Sequence, residues 1–203
     1  MESGSAFNPE VQNASVDHKI VAALERISEV FRISLWNTGK EHGLTPIQIQ
    51  VLTFLLFHPQ HMRTVSYLAK ELGVAKPTVS ETVKALLRKS LIEKVAVPED
   101  ARSYRLQLTS EGKKKAELVS GYVSHVLPVI SSVTDDEKQE FAARLMSLLA
   151  EFHGNGSVEA RRMCHTCTHF QTGGGDAPHY CGLMEIPLYP ADIRVDCPEH
   201  EIA

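Results

Sequence analysis

The residues with the most chemistry in this 203-residue chain are its four cysteines, Cys164, Cys167, Cys181 and Cys197. They are spaced C-x2-C-x13-C-x15-C, and no cysteine occurs in the 163 residues before them. A Cys-x-x-Cys pair places two thiolates on one tight turn, the way a protein knuckle gives two ligands to one metal. Two further cysteines at longer spacing complete a set of four. The chain opens on a polar stretch, Met1 to Asn13, rather than a basic-then-apolar leader, and no apolar run approaches about twenty residues. The expectation is a cytoplasmic protein with no membrane partner, in which reduced thiols bind a metal in preference to forming disulfides. One metal centre per chain is expected. Zinc leads, because it accepts four sulfurs tetrahedrally and supplies folding energy; an iron–sulfur cluster takes the same four thiolates and is the alternative. His165, His169, His179 and His200 are substitute ligands in either site, with His165 expected to face outward between the paired cysteines.

These thiols sit in a segment, residues 153–203, with a different character from the rest. It holds all four cysteines, five of the ten histidines, four of the ten prolines and the run Gly173-Gly174-Gly175, without helical periodicity. So short a segment cannot fold on an apolar core alone and needs a staple. Phe170, Tyr180, Leu183, Ile186 and Leu188 are expected to form a small apolar cap over the site.

The preceding chain reads mainly as helix with a small β element. Residues 1–15 are expected to be disordered. From Val16 to about Thr38 the spacing of Ile20, Leu24, Ile27, Phe31 and Leu35 predicts a long amphipathic helix with more apolar face than a lone helix can use. Thr45, Pro46 and Gln48 start another, to about Phe57, by N-cap, first-turn proline and capping box. Thr109 or Ser110 caps a helix running toward Pro128. Thr134-Asp135-Asp136-Glu137 caps a last one reaching about Phe152.

Between these lies Arg63 to Thr109. A short helix, a turn at Gly73 and a second helix opening at Lys76-Pro77 are followed by two strands, Ile92 to Val97 and Tyr104 to Leu108, joined by Pro98 to Ser103. In the second helix Val79, Val83, Leu86 and Leu87 repeat on one face, which leaves Lys76, Thr78, Ser80, Glu81 and Lys84 free. This is a winged helix-turn-helix over residues 45–109, whose second helix suits a major groove. Its wing brings Arg105 and Arg102, the latter alternatively holding Asp100 to shape the tip, with Lys89 and Lys94 as plain phosphate contacts or solvated side chains. From Arg63 to Thr109 there are nine Lys or Arg against five Asp or Glu, while the whole chain is formally −4. The basic excess is therefore concentrated on the element that would meet double-stranded DNA.

LTPIQIQVLTFL at 44–55, the helix-turn-helix, Asp100 and Arg102 in the wing, and LTSEGKK at 108–114 together resemble the MarR family of transcriptional regulators over residues 16 to 152. The resemblance implies a homodimer on a palindromic operator, acting as a repressor and relieved by a small ligand or an oxidant. Residues 16–44 and 110–152 would then form a helical dimerisation region. An effector pocket would draw on Leu35, Trp36, His42, Leu56, His58 and Tyr122. The wing reads PEDARSYR where the family commonly carries a denser basic run, and the cysteine-rich extension goes beyond the usual family plan.

Two other classes compete. The tail could be a protein-interaction module beside a vestigial winged helix, or Cys164 and Cys167 could form a thiol oxidoreductase. Redox Cys-x-x-Cys motifs open a helix in a βαβ setting, which this tail lacks. HExxH, GxSxG, P-loop and dinucleotide-binding glycine patterns are also missing, so no enzyme is expected.

Overall fold

A computed structural model describes residues 4–97, 100–155, 162–174 and 177–203, with the backbone alone at 100–103, 174 and 177. The chain forms two compact units, Met1–His125 and Val126–Ala203.

In the first unit, Pro9–Ala14 is a short helix (α1), where the sequence pattern suggests fraying; Asn8 caps it by accepting from the Glu10 N–H at 3.0 Å. The long helix α2 spans Val16–His42 and stops at Gly43, whose φ of 63° is the left-handed region glycine enters without a Cβ penalty. Thr45 and Gln48 exchange both bonds of a capping box to start α3, Pro46–Phe57. This helix is apolar on nearly all sides. Ile49, Val51, Leu52 and Leu55 are fully buried, and α3 is the post around which the unit is assembled.

The helix-turn-helix follows as α4, Val65–Leu72, capped by Thr64, and α5, Lys76–Arg88, with Gly73 at φ 64° between them. Strands β1, Ile92–Val97, and β2, Asp100–Leu108, pair antiparallel from Ile92 opposite Leu108 to Ala96 opposite Tyr104, with an irregularity beyond Ala96. The second strand thus starts earlier than the pattern predicts. Pro98 and Glu99 of the wing tip, and the side chains of Asp100 and Arg102, lie outside the described residues. The hairpin is tied back by the Leu106 N–H, which donates to the Arg63 carbonyl at 2.8 Å.

Helix α6 covers Ser110–Ser120; Thr109 caps it and also donates through its hydroxyl to the Ser90 carbonyl at 2.7 Å. Gly112 is required there by proximity, because a Cβ would sit 1.7 Å from the Leu91 carbonyl oxygen. The helix ends before Pro128, at Gly121. The core joins residues of every element from α2 to α6, including Leu35, Leu52, Leu68, Val83, Ile92, Leu106 and Val119.

The second unit begins with a five-residue helix, α7, Leu127–Ser131, and continues as α8, Asp135–Gly154, started by the capping box of Thr134 and Glu137. The cysteine-rich segment, to which the sequence pattern assigns no regular element, contains a three-stranded antiparallel sheet. Its strands β3, Phe170–Gly174, β4, Ala177–Cys181, and β5, Ile186–Leu188, lie in that order. Their small core is Cys164, Leu188 and Ile193, with Met146 of α8, Phe170 and Cys181 packed against it. Among the described residues, no helix is long and apolar enough to cross a membrane.

Candidate nucleic-acid interface and four-cysteine site

Helix α5 is anchored on one side and open on the other. Val79, Thr82, Val83 and Leu86 are buried, while Lys76, Thr78, Glu81 and Lys84 are exposed and Ser80 is half-buried at the boundary. The Thr82 hydroxyl donates to the Thr78 carbonyl at 2.8 Å, so this polar residue is satisfied within the helix. Lys84 Nζ lies 2.7 Å from Glu81 Oε1, and this bond holds the Glu81 carboxyl below the usual carboxylate range. Exposed pairs of this kind contribute little and exchange readily for another partner. The face can therefore present two cations, a carboxylate and two hydroxyls to an incoming duplex.

Arg105 lies half-buried on β2, opposite Val95. Two lysines expected as plain phosphate contacts have partners of their own. Lys89 Nζ donates to the Gly43 carbonyl at the end of α2, and Lys94 Nζ stands 4.0 Å over the Tyr104 ring. The first joins residues 46 apart, of which periodicity carried no sign, and the second crosses the β1–β2 hairpin diagonally. Arg63, half-buried near the base of the wing, donates through Nε to the His58 carbonyl at 2.8 Å, and its partial burial lowers its pKa.

The residues assigned to an effector pocket are dispersed over the first unit. Leu35 belongs to the core. Trp36 is 54% exposed and lines a concavity with Lys40, Leu44, Pro46 and Lys89. Tyr122 lines another with Val30, Ile33, Ser34 and His125, closed partly by the 3.2 Å contact of Ser34 Oγ with His125. Leu56 lines a third with Gln60, Arg63 and Lys113. His58 stacks on Phe54 with ring centres 3.9 Å apart, and His42 lies 3.9 Å from Glu41.

In the second unit the four cysteines converge. Cys164 opens a single 3-10 turn, Cys164–Thr166, that brings Cys167 back under it through the Cys167 N–H to Cys164 carbonyl bond of 3.0 Å. Cys181 ends β4, held opposite Phe170 and Ile186 by the sheet register. Cys197 is placed by its N–H, which donates to the Arg162 carbonyl at 2.8 Å, while Arg162 Nε reaches Asp196 at 2.6 Å. All four line one cavity, walled further by Phe170, Leu183, Met184 and Leu188. All four are free thiols. The Arg194 N–H donates to Cys164 Sγ at 3.2 Å, and the Arg194 guanidinium lies 3.7 Å from Cys197 Sγ. Burial pushes the Cys164 thiol pKa up, and the Arg194 N–H draws it back toward ionisation. Among the described residues, no three His, Cys, Asp or Glu side chains are gathered closely enough to share one metal ion as they stand.

The histidines take other positions. His165 packs edge-on against Phe170 and His179, and burial followed by the nearby His179 lowers its pKa. It is thus part of a ring cluster rather than the outward-facing residue expected. His200 Nε2 lies 2.8 Å from the Thr166 hydroxyl, and His169 Nε2 is 3.3 Å from Glu201. Ile186, expected in the apolar cap, is 40% exposed, and Ile193, Met146 and Met163 supply burial that composition did not single out.

Residues 42–103 match the model of the MarR family. The chain is similar to an HTH-type transcriptional repressor, YetL of Bacillus subtilis, with 29% identity over 133 residues, 62% of this chain and 80% of that one. It is similar in structure to S. aureus MepR in a complex with DNA, with 26% identity, a TM-score of 0.56 and coverage of 64% of this chain and 96% of that one. MepR in its DNA-binding conformation gives a TM-score of 0.57 at 24% identity, over 66% and 98% of the two chains.

Proposed function

We propose that this chain, a sequence-specific DNA-binding transcriptional regulator of the MarR family, is a repressor that works in the cytoplasm as a homodimer on a two-fold symmetric operator. The observation that carries the proposal is the two-sided build of α5, on a fold shared with a relative whose structure is a DNA complex. A helix fixed by Val79, Val83 and Leu86 presents its opposite face without spending stability on the exposure. Thr78, Ser80 and Glu81 are of the right chemistry for base edges, whereas Lys76, Lys84, Arg102 and Arg105 supply charge for the phosphates.

The dimer reading is supported by α2, which leaves Ile20, Val21, Ile27, Ile33 and Trp36 exposed along its length. Apolar surface on that scale marks an interface. A second copy related by a two-fold axis would present two α5 helices to successive major grooves. A small-molecule effector would enter the concavities lined by Trp36 or Tyr122. The four cysteines hold one metal centre, because they converge as free thiols in a segment with a core of a few residues.

The test is binding of the full chain to the DNA upstream of its own gene against a scrambled duplex, at two salt concentrations. The proposal expects preference for the native sequence and affinity that falls steeply with salt, as release of counterions from contacted phosphates requires. Equal affinity for both duplexes, or none for either, would remove the regulator and favour the interaction-module reading.

A further inference from the structure

We infer that the four cysteines hold a polynuclear iron–sulfur cluster rather than a single zinc ion. The inference deepens the metal-centre reading and rests on it. The spacing of the thiols decides between the two. A lone zinc draws four sulfurs to about 2.3 Å from one point. A sulfur atom's own radius nearly fills that distance, so nothing the size of water fits among the four. Here Cys164, Cys167, Cys181 and Cys197 all line a cavity with room for a water-sized sphere. No three ligand-type side chains among the described residues approach as the ligands of one ion would. Four thiols on a shared cavity, with no three of them gathered about a common point, match a cluster in which the thiolates bind different irons and inorganic sulfide fills the space between.

The surroundings agree. Phe170 and Leu188 wall the cavity with apolar surface, which keeps water from bridging sulfides. Arg194 donates its backbone N–H to Cys164 Sγ at 3.2 Å and sets its guanidinium 3.7 Å from Cys197 Sγ. Donors of this kind offset the negative charge that four thiolates bring to a cluster. His200 is engaged with Thr166 and His165 with the Phe170 and His179 rings, while His169, which also lines the cavity with Glu199, stands 3.3 Å from Glu201.

The full chain should be purified without oxygen and its iron, zinc and acid-labile sulfide counted per chain, with a visible absorption spectrum on the same sample. The inference expects iron and sulfide in equal amounts, more than one of each per chain, and a brown colour that is absent from the Cys181→Ser variant treated identically with ferrous iron and sulfide. One zinc per chain, with no iron and no colour, would overturn the cluster and leave the metal centre standing. A chain with neither metal, before or after exposure to zinc or to ferrous iron and sulfide, would overturn both.

Discussion

Serine at any one of Cys164, Cys167, Cys181 or Cys197 is expected to release the metal and unfold residues 162–203 while leaving the first unit folded. The reason lies in how little else holds the segment. Leu188 and Ile193 are its principal buried aliphatic side chains, and burying each contributes about 1.5–3 kcal/mol. Structural zinc in zinc-finger peptides is worth about 10–16 kcal/mol, and a metal centre on that scale would outweigh the core. Serine removes a soft thiolate ligand with little change in volume, and the loss is therefore one of coordination rather than packing. Limited proteolysis should cut each variant within residues 162–203 at a protease level the parent survives, with metal content falling in step. Far-UV circular dichroism should keep most of its helical signal, since α2 to α6 bury their own core. A variant that stays protease-resistant and metal-free would show that the three-stranded sheet folds unaided.

The second large effect belongs to α5. Lys76 and Lys84 are exposed and touch none of the core, so replacing both by alanine should leave thermal stability almost unchanged. If both meet phosphates, affinity for every duplex should drop together, and the slope of log affinity against log salt should become shallower by about two. Thr78→Ala should behave differently. A lost base contact costs about 1–3 kcal/mol on the operator, roughly fivefold to 150-fold in affinity, and little on scrambled DNA. Fluorescence anisotropy on both duplexes across a salt series separates the two outcomes. An unchanged salt slope in the double-lysine variant would mean that the groove is entered by another face.

What could be read from the sequence was local. Thr45 with Gln48 and Thr134 with Glu137 announce their helices because a capping box needs only four consecutive residues, and both boxes form. Gly73 marks its turn for the same reason, since the left-handed backbone there depends on the residue itself. The stripe of α5 is likewise a periodic signal a few residues long. What escaped depends on distant partners. Strands β3 to β5 are short, rich in glycine and proline, and fixed by pairings such as Phe170 with Cys181, which no local pattern encodes. The contact of Lys89 with Gly43 arises only once the first unit closes. The four cysteines line one cavity only once the short strands and the turn at Cys164 are in place, and their spacing along the chain does not encode that cavity.

Two copies of α5 on a symmetric site should leave a two-fold pattern in a hydroxyl-radical footprint of the full chain on the DNA upstream of its own gene. Protection is expected at two half-sites related by a dyad and centred about 34–36 Å apart, one helical turn or a multiple of it. Protection of a single stretch without a dyad, or uniform weak protection along the whole fragment, would contradict it.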